Sequence, residues 1–196
     1  MKHIFLYLLA LLGFIVQGQV TISGTINIDS TWTKEIYASR IPSMADLYNA
    51  SNHLVFAASP IDSSGNYQLF IPEVGEAQLL RLHIKKKDAP INSLIKGTAN
   101  QNFGIIALQL GKDVIYIHPE ETIFQNFNVK DSLNSILKSI DSIVKNWEQI
   151  DQLTLSYEER IEVRREAAEN LLYIADTSKS ILPAIYALNA SDFGFN

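Results

Sequence analysis

The sequence predicts an α+β protein, in which an antiparallel β-sandwich-like region is followed by a helical hairpin and a third short helix. Two observations support this class. Between Val20 and Val129, short runs of Val, Ile, Leu, Phe and Tyr are separated by Gly, Pro, Asn, Asp and Ser, which is typical of strands and turns. After Val129 the apolar residues recur every three or four positions instead, which indicates helices.

Eight strands are expected in the first region. Their predicted ranges are 20–28, 34–39, 53–58, 66–71, 77–86, 102–110, 113–118 and 122–129. The first strand alternates apolar and polar residues, which predicts one buried and one wet face. Turn-forming residues around Gly65, and the pair Gly111-Lys112, predict two hairpins and therefore antiparallel pairing.

The first predicted helix carries two interlocked seven-residue repeats of apolar residues. The repeats are Leu133, Ile140, Trp147 and Ile136, Ile143, Ile150. Such a seam needs a cover, and the second helix is the nearest one in the chain. We therefore expect an antiparallel helical hairpin in which Trp147 is buried, and a dimer through the first helix is the alternative.

The starts of the second and third helices are also indicated. Ser156 and Glu159 have the spacing of a capping box, which predicts a helix from Ser156 to Ala175. Pro183 fits only the first turn of a helix that follows Ser180.

The N-terminal residues have the pattern of a secretory signal peptide. Lys2 and His3 precede an apolar run over residues 4–16, and small Gly18 stands before the expected cleavage point. The run is shorter than the roughly 20 residues of a membrane-spanning helix. We expect a periplasmic or otherwise extracytoplasmic product, without stable membrane insertion after cleavage. The predicted divisions are a signal peptide at 1–18, a β-sheet accessory domain at 19–129 and a helical segment at 130–196.

Charge and cysteine content exclude several kinds of function. The formal net charge is −5, which gives no indication of nucleic-acid binding. The chain has no cysteine, so it has neither a disulfide framework nor dithiol chemistry of its own.

No catalytic, cofactor-binding or metal-binding residue is predicted. His53, His83 and His118 fall on three different predicted strands, without the close spacing of a zinc pair. Sequence signatures of a nucleophilic serine, a phosphate-binding loop and a zinc protease are all missing. The alternating charges of the second helix predict a solvated, ion-paired face.

Three further features have a simple and a functional interpretation. Asp62, Ser64 and Asn66 resemble part of a calcium loop, but the later acidic ligand is missing and a turn is favoured. The lysines at 85–87 are typical of a protected sheet edge, and a partner-binding patch is the alternative. Six aromatic residues are typical of sheet core, and a sugar- or peptide-binding face is the alternative. They are Trp32, Tyr37, Tyr48, Phe56, Tyr67 and Phe70.

Four short segments carry a resemblance to a known family. They are Val20-Thr-Ile-Ser-Gly24-Thr-Ile, Ile61-Asp62-Ser-Ser-Gly65-Asn-Tyr67, Leu80-Arg81-Leu-His83-Ile and Ser180-Ile-Leu-Pro-Ala-Ile-Tyr-Ala-Leu188. In this order they resemble the N-terminal accessory domain, a domain of unknown function, of exported Bacteroidetes proteins. Many of those proteins continue into a thioredoxin-like domain of the thiol-disulfide interchange type, whose Cys-x-x-Cys this chain lacks.

The resemblance implies a non-catalytic accessory or scaffold module. Either the chain is a naturally short member, or it is the front part of a longer protein, with an unknown protein partner or a missing C-terminal domain. The alternative function is a ligand-sensing, carbohydrate-binding or peptide-binding ectodomain of a membrane-tethered signalling protein.

Overall fold

The computed structural model describes residues 20–72, 77–96, 101–109, 114–117, 124, 128–129, 131–150 and 154–192. In these residues a β-rich part precedes three α-helices, which confirms the predicted α+β class. The strands are β1 (Val20–Thr25), β2 (Glu35–Arg40), β3 (Val55–Pro60), β4 (Asn66–Ile71), β5 (Gln78–His83), β6 (Phe103–Leu108), β7 (Val114–Ile117) and β8 (Asn128–Val129). The helices are α1 (Ser132–Ile150), α2 (Tyr157–Thr177) and α3 (Ile181–Asp192).

The strands form two sheets that enclose the first core. Sheet 1 has the order β4-β1-β7-β8, and sheet 2 has the order β3-β2-β5-β6. Alternate residues of β1 and β4, such as Ile22 and Leu69, contact alternate residues of β2 and β5, such as Ile36 and Leu82. Trp32, which is 2% exposed, belongs to the same core. All pairings are antiparallel except that of β1 with β7, which is parallel and was not expected.

Sheet 2 is the middle layer, because its second face is covered as well. Leu79 and Ile105 lie on that face and pack against Leu137 of α1, Leu171 of α2 and Tyr186 of α3 in a second core. All six residues of β6 are therefore buried. Burial on both faces explains why β6 is a continuous apolar run rather than an alternating one.

The two predicted hairpins are wrong, although one of the turns is present where expected. Gly65 has a φ of 83°, and a Cβ atom there would lie 2.3 Å from the Ile26 carbonyl oxygen. The turn nevertheless joins β3 of sheet 2 to β4 of sheet 1, so it forms a corner between sheets. β6 and β7, on either side of Gly111, also belong to different sheets, and Gly111 itself lies outside the described residues.

The helical part follows the expected order of three helices. Ser156 caps α2, and Glu159 completes the capping box, as predicted. Pro183 lies in the first turn of α3. The seam of α1 is covered within the chain by sheet 2, α2 and α3. The prediction that Trp147 is buried is wrong: its side chain is only partly buried, and the α1 residues that belong to the second core run from Leu133 to Val144. The domain division at residue 129 stays a prediction.

Candidate functional site

The most deeply buried polar side chains lie together on the helix-facing side of sheet 2. The strand register places Tyr37 opposite His83 and Ser39 opposite Arg81, so the four side chains project from the same face of β2 and β5. Ser39, Arg81 and His83 are 0% exposed. Buried ionisable groups with altered pKa values are common at active sites, so this cluster is a candidate site.

Ser39 and His83 form a hydrogen-bonded pair within this cluster. The Ser39 Oγ lies 2.7 Å from the His83 Nε2, and the Tyr37 ring stacks on the imidazole at 5.4 Å between centroids. Desolvation, and then the charge of Arg81, lowers the pKa of His83 to about 3. His83 is therefore neutral near pH 7, and its buried Nδ1 has no hydrogen-bond partner.

A serine paired with a neutral histidine has the elements of a nucleophile and a general base. A working pair also needs access for the substrate and a group that orients the imidazole. Neither condition holds for this pair. Both residues are completely buried, and the nearby carboxylate of Glu35 accepts a 2.6 Å hydrogen bond from the Tyr37 hydroxyl instead. In this conformation Ser39 and His83 are part of the core.

Arg81 fastens the segment between β2 and β3 onto the sheet. Its guanidinium donates to the carbonyl oxygens of Asp46, Leu47 and Asn49, with distances of 3.1 Å from Nε to Leu47 and 2.7 Å from Nη1 to Asn49. Desolvation is the main reason that the pKa of Arg81 falls to about 10. The guanidinium stays protonated at neutral pH, and its five donors suit several carbonyls at once. It holds Leu47 in the second core.

Asn134 has a comparable role at the edge of sheet 2. Its side-chain Oδ1 accepts from the backbone N–H of Ala107 at 2.8 Å, and its Nδ2 donates to the Ala107 carbonyl at 2.9 Å. The carboxylate of Asp131 holds both the backbone N–H and the Nδ2 of Asn134. The amide thus replaces a neighbouring strand at the edge of β6 and joins α1 to the sheet.

The predicted histidine candidates do not come together in the described residues. His53 lies exposed in the short 3-10 turn Asn52–Leu54, while His83 is in the core. His118 lies outside the described residues. Within the described ranges no three metal-binding side chains are grouped around a common point.

The carboxylate of Asp62 accepts hydrogen bonds from residues of its own turn. Its Oδ1 accepts from the backbone N–H groups of Ser64 and Asn66 at 2.8 Å each, and its Oδ2 accepts from the Asn66 amide at 3.1 Å. The backbone hydrogen bond from Asn66 is the largest cause of a lowered Asp62 pKa. This arrangement is an Asx turn, in agreement with the simpler sequence interpretation.

The charged candidates are engaged in local contacts. Lys85 donates to the Ala89 carbonyl at 3.1 Å, and the Lys86 ammonium lies 5.4 Å from the centroid of the Trp32 ring. On α2, Arg165 bridges Glu162 and Glu169 at three- and four-residue spacing. Such exposed pairs contribute little to stability, and they agree with the predicted solvated face.

The aromatic residues do not assemble into one exposed surface. Trp32, Tyr37 and Tyr67 are buried, and Phe56 is half-buried against the sandwich core. Tyr48 and Phe70 are 43% and 53% exposed, but Tyr48 lies against Phe103 of sheet 2 whereas Phe70 belongs to sheet 1. This dispersal gives no support to a sugar- or peptide-binding face.

The most unusual exposed feature is on α3. Tyr186 and Ala187 face the second core, and the Tyr186 hydroxyl donates to Asp141 of α1 at 2.6 Å. The opposite side of the helix carries Ile181, Ile185 and Leu188, which are 72%, 39% and 49% exposed. Their spacing of four and three residues places them on one stripe, here named the α3 outer face.

No family model, curated protein or solved structure matches this chain. Among the described residues, none of the helices has the length and apolar character needed to cross a bilayer. The predicted signal peptide lies outside the described residues.

Proposed function

We propose that the chain is a non-catalytic, extracytoplasmic accessory or scaffold module that contacts another folded protein through the α3 outer face. The proposal combines the signal-peptide pattern at residues 1–18 with one structural observation: α3 is apolar on two opposite sides. The buried state of Ser39 and His83 supports the non-catalytic part.

The proposal depends mainly on the apolar side chains that α3 carries on two opposite sides. A helix that is apolar all round is normally enclosed by other elements, whereas a surface helix has a polar outer side. α2 follows that rule only in part, because ion pairs such as Arg165 with Glu162 lie on its exposed side together with the exposed rings of Tyr157 and Tyr173. The outer side of α3 is not polar, because it carries three exposed aliphatic side chains on one stripe. A protein partner of matching apolar surface would remove this stripe from water.

The family resemblance adds a context to this proposal. In proteins of the thiol-disulfide interchange type, an accessory module stands beside a domain with a reactive cysteine pair. This chain has no cysteine, so any dithiol chemistry has to come from the contacted domain, in the same protein or in another one.

Site-specific photo-crosslinking in cells of the source organism tests the proposal. We expect a photoreactive amino acid at Ile185 to give a protein adduct, identified by mass spectrometry, because Ile185 is the middle of the stripe. The same group at Phe70 is the matched control, since Phe70 is also an exposed apolar residue but belongs to sheet 1. The adduct at Ile185 should disappear when Leu188→Glu is added.

Two results would overturn the proposal. Equal adduct yields at Ile185 and Phe70 would show that the α3 outer face is not a specific contact. A chain that keeps residues 1–18 and stays in the cytoplasmic fraction, as measured by intact mass after fractionation, would contradict the extracytoplasmic location.

A further inference from the structure

We propose that the 44–50 segment, between β2 and β3, is an acid-sensitive cover of sheet 2 that opens when His83 becomes protonated. The opening is local, because the segment leaves the sheet while the strands stay paired. It uncovers the polar face formed by Ser39, Arg81 and His83. It is separate from the contact proposed at the α3 outer face.

The 44–50 segment lies over sheet 2 beside His83. It contacts both neighbours of the imidazole. The Arg81 guanidinium, two residues back on β5, binds its carbonyl groups, and its Tyr48 ring packs edge-on at 6.1 Å against Phe103, which is paired with His83 across the strands. His83 is 0% exposed beside these contacts. Opening of the segment therefore admits water to the imidazole.

The 44–50 segment can leave the sheet without breaking a strand pairing. The backbone N–H groups of Asp46, Leu47 and Asn49 donate to carbonyls at positions 43, 44 and 46, within the same loop. Attachment to the sheet comes from Arg81, which donates to the carbonyls at 46, 47 and 49, and from the buried side chain of Leu47. Segments attached through few contacts open at a lower free energy than the whole protein unfolds.

The closed position does not accommodate a charged imidazole. The Nε2 of His83 is hydrogen-bonded to Ser39, and among the described residues its buried Nδ1 has no hydrogen-bond partner. Both ring nitrogens of a protonated histidine are donors, so Nδ1 would become a buried donor without an acceptor. The new charge would also lie close to that of Arg81, the residue that holds the segment. Protonation therefore favours the open position, in which water solvates the ring.

No carboxylate of the described residues compensates this charge in the closed position. The carboxylates near His83 accept hydrogen bonds from the hydroxyls of Tyr37, Ser43 and Tyr186. Arg81 is the charge that acts on the imidazole, and its sign opposes protonation. The ionisable groups on the elements around His83 are Glu35 and Tyr37 of β2, Arg81 of β5, Asp46 and Tyr48 of the 44–50 segment with Lys96 beside Tyr48, and Asp141 and Tyr186 of the helices.

The direction and the size of the pH effect follow from the two positions. Desolvation, and then the charge of Arg81, lowers the pKa of His83 to about 3 when the segment is closed. An imidazole in water has a pKa of about 6.5. Above pH 6.5 neither position binds the proton, whereas below it the open position does and the closed one does not, so acid favours opening. Between pH 7 and pH 5 the population of the open position should rise about 25-fold.

Hydrogen exchange monitored by NMR on the unmodified protein tests this local opening. After correction for the intrinsic exchange rate at each pH, the protection of the Leu47 and Asn49 amides should be about 25-fold lower at pH 5 than at pH 7. In low urea the exchange of these amides should stay nearly constant, because local opening exposes little surface. The amides of β5 should exchange faster as urea is added, because they require global unfolding.

Two variants with matched controls test the roles of His83 and Arg81. His83→Gln should remove the pH dependence of exchange in the 44–50 segment, whereas His53→Gln, in an exposed turn, should keep it. Arg81→Lys keeps the positive charge but cannot bind three carbonyls at once, so the segment should lose protection already at pH 7. Arg40→Lys, at the exposed end of β2, should leave the segment protected.

Three outcomes would overturn this inference. If the Leu47 and Asn49 amides exchange with the same urea dependence as those of β5, the segment leaves the sheet only on global unfolding. Equal protection at pH 7 and pH 5 would show that acid does not open it. A pH dependence that persists in His83→Gln would assign the effect to another group. If His83→Gln does not fold, the measurements on the unmodified protein and on Arg81→Lys decide.

Discussion

At the scale of single residues, the buried polar cluster shows how a side chain that is costly to bury becomes part of the framework. The Arg81 guanidinium loses its contact with water, but it donates hydrogen bonds to three backbone carbonyls. These bonds also provide partners for carbonyl groups that the 46–49 segment would otherwise leave unpaired. His83 is instead buried in the uncharged state, and its imidazole forms a hydrogen bond with Ser39.

His83 makes the stability of the protein depend on pH. Its pKa falls from 6.5 to about 3 on folding, so below pH 6.5 the unfolded chain binds a proton that the folded protein does not. Above pH 6.5 the titration of His83 does not change the free energy of unfolding. As the pH falls from 6.5 towards 3, it lowers that free energy progressively. At about 1.4 kcal/mol per pH unit, the free energy of unfolding should decrease by about 2 kcal/mol between pH 6.5 and pH 5 on this account.

Urea unfolding at pH 7.5, 6.5 and 5.0 measures this effect. His83→Gln keeps a polar partner for Ser39 and should lose most of the decrease. His53→Gln, at an exposed turn, is the control and should behave like the unmodified protein. A decrease of the same size in His83→Gln would show that other groups cause it.

The sequence did not indicate this cluster, and the reason is physical. Arg81 and His83 alternate with Leu80 and Leu82, which is the pattern of a strand with one wet face. That face is instead covered by the 44–50 segment and the helices, through contacts between residues far apart in the chain. Alternation identifies which residues share a face, but it does not show what covers the face.

At the scale of secondary-structure elements, local signals proved sufficient for starts and turns. The Ser156 and Glu159 capping box depends on two side chains three residues apart, and the Gly65 turn depends on one positive φ, so both could be predicted. The partner of each strand in its sheet could not be predicted from such local signals. A turn fixes where the chain reverses, but long-range packing decides whether the next strand joins the same sheet or the opposite one.

Asn134 closes the edge of sheet 2, and this role is testable at the level of the element. Asn134→Ala leaves the N–H and C=O groups of Ala107 buried without partners, which should cost about 2–4 kcal/mol in the free energy of unfolding. The loss should be local as well as global, because the Ala107 amide hydrogen should exchange with solvent faster than the amides of β5.

Hydrogen exchange monitored by NMR, together with urea unfolding, provides both measurements for Asn134→Ala. Ser139→Ala, an exposed position on the same helix, is the control and should change stability by no more than about 0.5 kcal/mol. If the Ala107 amide stays as protected in Asn134→Ala as in the unmodified protein, the amide does not act as the edge partner.

At the scale of the whole molecule, sheet 2 is shared by the two cores. One face of it closes the sandwich with sheet 1, and the other supports α1, α2 and α3. Neither core can be removed without exposing buried side chains of sheet 2, such as Leu82 on one face and Ile105 on the other. A chain whose strand and helix regions look separate in sequence therefore has a reason to unfold as one unit.

The two tryptophans report on the two parts of the molecule, the sandwich and the helices, and allow this to be measured. Trp32 is in the sandwich core, and Trp147 is on α1. Trp147→Phe leaves Trp32 as the only fluorescent reporter of its kind, and Trp32→Phe leaves Trp147. Within each variant, the urea midpoint from fluorescence should equal the midpoint from far-ultraviolet circular dichroism, because loss of either core exposes sheet 2. Adding Leu137→Ala, a 1% exposed residue of the helical core, should lower the stability by about 2–5 kcal/mol and shift both reporters together. A Trp147 transition at lower urea than the Trp32 transition, with only the former moved by Leu137→Ala, would show that the helices unfold independently of the sandwich.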